Sequence, residues 1–499
     1  MRQLQGMDTS FVALETNHSP MHIGSLMIYD PSTAPGGAVG FKDILCFIAS
    51  RLQLSATVRQ KLVRVPFDLD YPYWVEDDAF DLEYHVRHEA LPKPGDWRQL
   101  CIQAARIFAR PLDLSRPPWE FTVIEGLGAI EDLPRGCYAM VTKVHHSAID
   151  GLSGIDLMQA LHTLTPDAPP PPGADRWKPE RAPGAVELVA RSWLHGMRRP
   201  PRPFGLVTRA APVIRRVVKG VQERDFSLSR QMLPPKSRFN VAIGPHRVIE
   251  GRRVALAEIK AIRPLVRGAK VNDVFLAIIG GALREYLLAK RELPDRSLTA
   301  MVPISVRARR KKDATGNQLA AMIVALGSQI DDPVERLGYV HGKTVNSKAI
   351  TNAIGARTIA EASQSSPALF LGLAARLFMR LGRADRSPFT TIVTTVPGPR
   401  VPLYSAGARL ESMMGLICLT DGIGLAHVVH SYGEEATIAF TADRTLMPDP
   451  AFYADCIERS FAALLAAAES AADALPPSPP GTNSKPRRSS STARGQEKA

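Results

Sequence analysis

Val144-His145-His146-Ser147-Ala148-Ile149-Asp150-Gly151 is the stretch from which the fold and the chemistry can be read. The apolar run before it, residues 137–144, has the length and composition of a buried strand. After it, Ser153 with Asp156 three residues on has the form of a helix start, and the spacing predicts a helix over 156–164. The paired histidines thus fall in a strand-to-helix turn, where side chains are presented at a sheet edge. Gly151 permits backbone conformations closed to other residues. A histidine near its ordinary pKa of about 6.5 can take a proton at neutral pH and return it to a leaving group. A metal site would need a further ligand at a recurring spacing, and none stands there. A serine nucleophile would need G-x-S-x-G, and Gly151-Leu152-Ser153-Gly154 is spaced wrongly. Ordinary structural histidines are the plain alternative. The doubling, Asp150 four residues after His146, and Gly151 count against it.

Outward from this turn, 499 residues allow two large units or three smaller ones. Hydrophobic residues at 45% and charged residues at 22% describe a globular chain. No run of about 18 apolar residues suggests a membrane span, and residues 1–10 lack the pattern of a secretory signal. The five cysteines are scattered, never spaced CxxC, and suit a reducing cytoplasm rather than a disulfide framework or a zinc-thiolate site. The net charge of +13 is local. Residues 166–240 hold 15 Lys/Arg against 6 Asp/Glu and residues 476–499 hold 5 against 1, which together account for the whole excess. A nucleic-acid-binding domain would carry such charge on its folded surface, so no nucleic-acid partner is expected.

The expected division is an N-terminal unit, 1–165, a Pro-rich basic connector, 166–239, a C-terminal unit, 240–475, and a disordered basic tail, 476–499. Strand-like runs at 138–144, 298–306 and 392–396 alternate with helical stretches at 156–164, 274–288 and 450–472, which argues α/β layers in both halves. In the connector, Pro166, Pro169 to Pro172, Pro179 and Pro183 make a stiff start. Val186, Leu188, Val189, Trp193, Leu194 and Met197 then form an apolar face beside Arg191, Arg198 and Arg199, and 213–221 mixes Val and Ile with Arg215, Arg216 and Lys219. Such a segment either lies in the headgroups of an anionic membrane or packs against its own domains.

His145-His146-Ser147-Ala148-Ile149-Asp150-Gly151 resembles the HHxxxDG motif shared by bacterial wax ester synthase/acyl-CoA:diacylglycerol acyltransferases and peptide-synthetase condensation domains. More of the chain is similar to the former. Met7-Asp8-Thr9-Ser10-Phe11, Glu15 and Pro20-Met21-His22-Ile23-Gly24 resemble that family's N-terminus. Arg110-Pro111-Leu112, Arg116-Pro117-Pro118-Trp119-Glu120 and Gly126-Leu127 resemble its PLW region, with Pro118 where Leu is usual. Val271-Asn272-Asp273-Val274 with Gly281-Ala282-Leu283-Arg284 resembles its Asn-Asp helix, and Val302-Pro303-Ile304-Ser305-Val306-Arg307 and Gly316-Asn317 follow in order. Two segments depart. Thr395-Val396-Pro397-Gly398-Pro399 stands for Asn-Val-Pro-Gly-Pro, and Met413-Met414-Gly415-Leu416 stands where a Tyr-Pro pair is usual. Both bear on acceptor identity more than on fold.

The resemblance implies two chloramphenicol-acetyltransferase-like α/β domains, each a mixed sheet flanked by helices, with a channel between them. It implies O-acyl transfer from long-chain acyl-CoA to diacylglycerol or a fatty alcohol, with no metal or prosthetic group. His146 would be the general base and His145 would support the turn. Asp150 would hold the loop by pairing with an arginine, Arg307 being one candidate. Oxyanion donors would be the Gly151 amide or the hydroxyls of Thr394 and Thr395. Asn272 and Asp273 read either as a helix cap and first-turn acid or as substrate contacts. Trp119, His85, His88, His427 and His430 read as structural, and Pro397-Gly398-Pro399 as a rigid turn. The expected location is the inner face of the cell membrane or a lipid droplet, met peripherally. The alternatives are a condensation-type enzyme using a carrier-bound acyl group and a catalytically weak lipid-binding or droplet-coating protein.

Overall fold

The computed structural model describes residues 1–4, 6–148, 160–171, 181–198, 234–305, 319–354 and 387–473. Most of the helix expected at 156–164, the 213–221 run and the tail lie outside these residues. In chain order the first strands are β1 (Arg2–Gln3), β2 (His22–Asp30), β3 (Gln60–Val63), β4 (Tyr73–Glu76), β5 (Val86–Ala90), β6 (Trp119–Glu125) and β7 (Tyr138–His145). Those that follow are β8 (Arg247–Ala255), β9 (Thr299–Ser305), β10 (Leu319–Ala325), β11 (Thr391–Val396), β12 (Tyr404–Ser405), β13 (Ala408–Leu416), β14 (Leu425–Tyr432) and β15 (Glu435–Asp443). They form a small sheet, β1-β4-β3, and two six-stranded mixed sheets, β12-β13-β2-β7-β6-β5 and β10-β9-β11-β14-β15-β8.

All eight residues of β7 are buried, as expected of a strand covered on both faces. It runs antiparallel between β2 and β6, in registers His22↔His145 and Trp119↔Val144. Gly24 in β2 is required by close approach, since a Cβ there would stand 1.8 Å from the Thr142 carbonyl oxygen. Helix Trp97–Ala109 covers one face; Asp96 and Gln99 cap its start reciprocally, at 2.8 and 3.0 Å. Leu100, Ala104, Ile107 and Phe108, at helical spacing, form its buried stripe.

Sheet membership does not follow the division expected at residue 240. Strands β12 and β13, from the second half, complete the first sheet, with β13 antiparallel to β2 from Arg409↔Asp30 to Leu416↔Gly24. Composition cannot reveal this exchange, because the pairing joins segments almost four hundred residues apart. One core cluster also spans both halves: Leu26, Ile28, Ala104, Phe108 and Val141 pack with Ile249, Met414 and Ala439. Trp97 Nε1 donates to Glu250 Oε1 at 2.5 Å, and Ser19 Oγ to the Leu419 carbonyl at 2.6 Å. Arg247 Nη2 donates to the His18 carbonyl at 2.5 Å.

In the connector, helix Ala185–Arg198 buries Leu188 among Val65, Tyr73 and Val75. Val186, Val189, Trp193 and Leu194 of the same helix are exposed, so the stripe is divided between packing and exposure. Among the described residues, no helix is long and apolar enough to cross a membrane.

Candidate active site

The chain leaves β7 at His145 and turns at once through a 3-10 turn, His146–Ala148. Three segments distant in sequence hold that turn. The His145 amide donates to the Pro118 carbonyl at 2.9 Å, and the His146 amide to the Met21 carbonyl at 2.8 Å. Phe11, from helix Gly6–Leu14, stacks on the His146 ring with centroids 3.8 Å apart and planes 13° from parallel. Met21 is two residues from Ser19, whose hydroxyl reaches Leu419. The turn therefore stands beside the seam between the halves.

His145 is wholly buried, and its Nδ1 accepts from Ser147, amide at 3.2 Å and hydroxyl at 2.6 Å. That assigns the proton to Nε2, which faces Glu15 Oε2 at 3.4 Å, longer than a tight hydrogen bond. Glu15 Oε1 in turn accepts from the Met21 amide at 3.4 Å. Ser147 thus fixes His145 on its Nδ1 side, while its Nε2 makes no hydrogen bond. The Nδ1 of His146 is likewise buried without a hydrogen-bond partner. Burial is the main cause that pushes its pKa down to about 4, and His145 beside it adds to the shift. The ordinary value near 6.5 expected from sequence does not hold here, because Phe11 and the turn remove water from the ring. The imidazole is neutral throughout the physiological range.

A buried polar row lies behind the turn. Lys143 Nζ, fully enclosed, pairs with Glu120 Oε1 at 2.8 Å, and Glu120 Oε2 also meets Arg87 Nε at 3.1 Å. Opposite His145 in register, His22 donates from Nε2 to the Phe108 carbonyl at 2.6 Å. Burial first, and Lys143 second, lower its pKa to about 3. Residue chemistry alone left Phe11, Glu15, His22, Lys143 and Ser147 without roles here. The signal for them was nearness to the motif for Ser147 and family-like segments for Phe11, Glu15 and His22.

A second group of expected site residues meets in the other half. Thr395 Oγ1 donates to Asn272 Oδ1 at 2.7 Å. The cap of helix Val271–Ala289 is Lys270 rather than Asn272, which sits inside the first turn. Asp273 is buried; its Oδ2 accepts from the Lys270 amide and from His341 Nδ1, both at 2.9 Å, which gives it a structural task. Thr394 and Thr395 are successive residues of β11, so their side chains project to opposite faces and cannot both serve one oxyanion. Asp150, Gly151 and Arg307 lie outside the described residues, so the Asp150–Arg307 pair is not placed. Trp119 is buried as expected and donates from Nε1 to the Val58 carbonyl at 2.8 Å.

Two mixed sheets thus share a seam, with a His-His turn beside it. A starter condensation domain of rhizomide synthetase shares the fold, with a TM-score of 0.53 at 12% identity over 94% of each chain. A wax ester synthase/diacylglycerol acyltransferase from Marinobacter aquaeolei VT8 is nearer, with a TM-score of 0.67 at 26% identity over 94% of this chain and all of that one. The model of the wax ester synthase/diacylglycerol acyltransferase catalytic domain matches residues 4–275, and that of the WS/DGAT C-terminal domain residues 315–465. A putative diacylglycerol O-acyltransferase of Mycobacterium tuberculosis is 32% identical over 90% of this chain and 87% of its own. A second, described as probable, is 30% identical over 84% and 88%. The chain belongs to the wax ester synthase/diacylglycerol acyltransferase family, and it is an acyltransferase.

Proposed function

We propose that the protein transfers a long-chain acyl group from acyl-CoA to the free hydroxyl of diacylglycerol, and also to a fatty alcohol, in one displacement. The observation that carries the mechanism is the placement of the His146 imidazole, stacked on Phe11 in the turn at the end of a fully buried strand. With Nδ1 sealed, Nε2 is the nitrogen assigned to proton transfer. It takes the hydroxyl proton as the oxygen attacks the thioester carbonyl; the C–O bond forms, the C–S bond breaks, and the same proton passes to the departing thiolate. An imidazole with a pKa of about 4 is a weak base but, once charged, a strong acid. Proton removal therefore accompanies C–O bond formation rather than preceding it, and protonation of a thiolate, with an ordinary pKa of about 8.5, runs downhill.

His145 orients the turn through Ser147 and Glu15, and Asp150 holds the loop that follows. The Gly151 amide is the oxyanion donor this reading prefers, because the Thr395 hydroxyl is already engaged by Asn272. The scheme uses acyl-CoA as co-substrate and needs no metal or prosthetic group. The acceptor is insoluble in water, and the connector's excess of Lys/Arg suits attraction to the anionic inner face of a membrane or to a lipid droplet. Incubation of purified protein with labelled palmitoyl-CoA and a panel of acceptors tests the reading. Triacylglycerol and wax ester are the expected products, and hydrolysis alone would sink it. Mass spectrometry after incubation with acyl-CoA alone should show an unmodified chain, since no activated nucleophile is invoked.

A further inference from the structure

We propose that Phe67 and Leu69, together with the outward face of helix Ala185–Arg198, form the surface that enters the headgroup region of an anionic lipid bilayer. The inference rests on the reading that the acceptor is a lipid. Phe67 is 89% exposed, the most exposed large apolar side chain among the described residues. Its backbone is left-handed, with φ 57° and ψ 18°, and Asp68 follows at φ 52°. Glycine and asparagine take that conformation at little cost, and a phenylalanine does not. Neither packing nor backbone geometry therefore explains a phenylalanine here, and strain of this kind marks places where the chain gains something else.

The helix supplies the rest of the surface. It touches the turn Pro66–Asp68 and is anchored by Leu188 among Val65, Tyr73 and Val75. Val186 at 84% exposure and Trp193 at 66%, with Val189 between them and Leu194 beside Trp193, form an outward stripe at helical spacing. Aromatic rings at such positions favour the membrane interface. Charge selects the lipid. Arg191 is neutralised by Glu187 at 2.8 Å, but residues 199–233, next in sequence, carry 8 Lys/Arg against 2 Asp/Glu. At the turn itself, the exposed Phe67 ring supplies the hold by apolar insertion.

Full-length protein is cosedimented with phosphatidylcholine vesicles, with and without phosphatidylglycerol, at ~0.1 M and ~1 M salt, where the Debye length falls from about 10 to 3 Å. Phe67→Asn combined with Trp193→Ser should weaken binding about tenfold at both salt concentrations, since two apolar side chains are lost from the interface. Phe67→Asn relieves the backbone, so its melting temperature should hold or rise, which separates loss of surface from loss of fold. Arg215→Gln with Arg216→Gln should weaken only the low-salt component. The ratio of turnover on vesicle-embedded diacylglycerol to turnover on a short-chain soluble acceptor should drop about tenfold in the Phe67/Trp193 variant. Equal vesicle binding by that variant and the wild type would overturn the surface, as would a fall in oligomeric mass showing that a second copy covers it. Vesicle binding lost in the variant, from a wild type that transfers no acyl group to any acceptor, would leave the surface standing and remove the enzymatic reading instead.

Discussion

The two large sheets each bury histidines, and the pairs behave differently. In β14, burial holds His427 and His430 at about 3 and about 4. Those values match His22 and His146 on the first sheet, at about 3 and about 4. His427 is closed on both sides, by the Thr391 hydroxyl at 3.1 Å and the Tyr453 hydroxyl at 2.8 Å. His430 lies within its strand, against Gly398, where an added Cβ would stand 2.9 Å from its Nε2. His146 alone of these has left its strand and sits in a turn at the seam. A depressed pKa therefore does not distinguish a reacting histidine from a packed one; presentation at a strand end does.

That contrast is broken most directly by substitution. His146→Ala should lower acyl transfer by at least about 10²-fold with little change in melting temperature. His427→Ala should do the reverse, leaving kcat within about twofold while lowering stability by about 1–3 kcal/mol, because Tyr453 and Thr391 lose a buried partner. A His146→Ala enzyme retaining above about a tenth of wild-type turnover would end the general-base assignment.

Glu15 comes next. Glu15→Ala removes the group facing His145 Nε2 and should lower kcat about tenfold, while Glu15→Gln, which keeps an acceptor oxygen, should recover most of it. A KM effect with unchanged kcat would show that Glu15 acts on substrate rather than through His145.

The pH profile sharpens the comparison further. If neutral His146 is the base, kcat/KM should be flat from neutral pH down to about 5 and fall through about 4. Phe11→Ala admits water to the ring and should raise that limb toward the ordinary value of about 6.5. The same burial acts on stability. Four histidines are neutral in the fold but charge in the unfolded chain near 6.5, so between about 6.5 and 4 the unfolded chain binds more protons and stability falls as pH falls. Each contributes a slope of up to about 1.4 kcal/mol per pH unit, measurable as melting temperature against pH.

What was legible in sequence follows the distance over which the information acts. The His145–His146 turn was legible because strand, turn and glycine are adjacent. The segments around Phe11, Met21 and Pro118 were visible as family-like motifs, and the structure shows why they matter together: each touches this one turn. The lowered pKa of His146 was not legible, since it depends on a ring from residue 11 lying over residue 146. Nor was the β13 exchange, whose register with β2 is a long-range choice. The helix cap was misplaced for a local reason. Asp273 does cap by accepting a backbone amide, but three residues upstream, from Lys270, a residue type that signals no cap.

The smallest expected effect concerns the second half's polar pair. Thr395 Oγ1 donates to Asn272 Oδ1 in an exposed setting, so Thr395→Val should change stability by less than about 1 kcal/mol. Asp273, one residue on, is buried and tied to His341, so Asp273→Asn should cost more, about 1–3 kcal/mol. If the Asn272–Thr395 bond only fastens the helix start to the end of β11, Thr395→Val and Asn272→Ala should have equal, small effects on melting and none on KM for acyl-CoA or acceptor. Two outcomes separate the roles. A KM raised in Asn272→Ala but not in Thr395→Val would place Asn272 on substrate, with the threonine merely orienting it. A kcat lowered in Thr395→Val alone would make the hydroxyl an oxyanion donor, and the preference for the Gly151 amide would then fall.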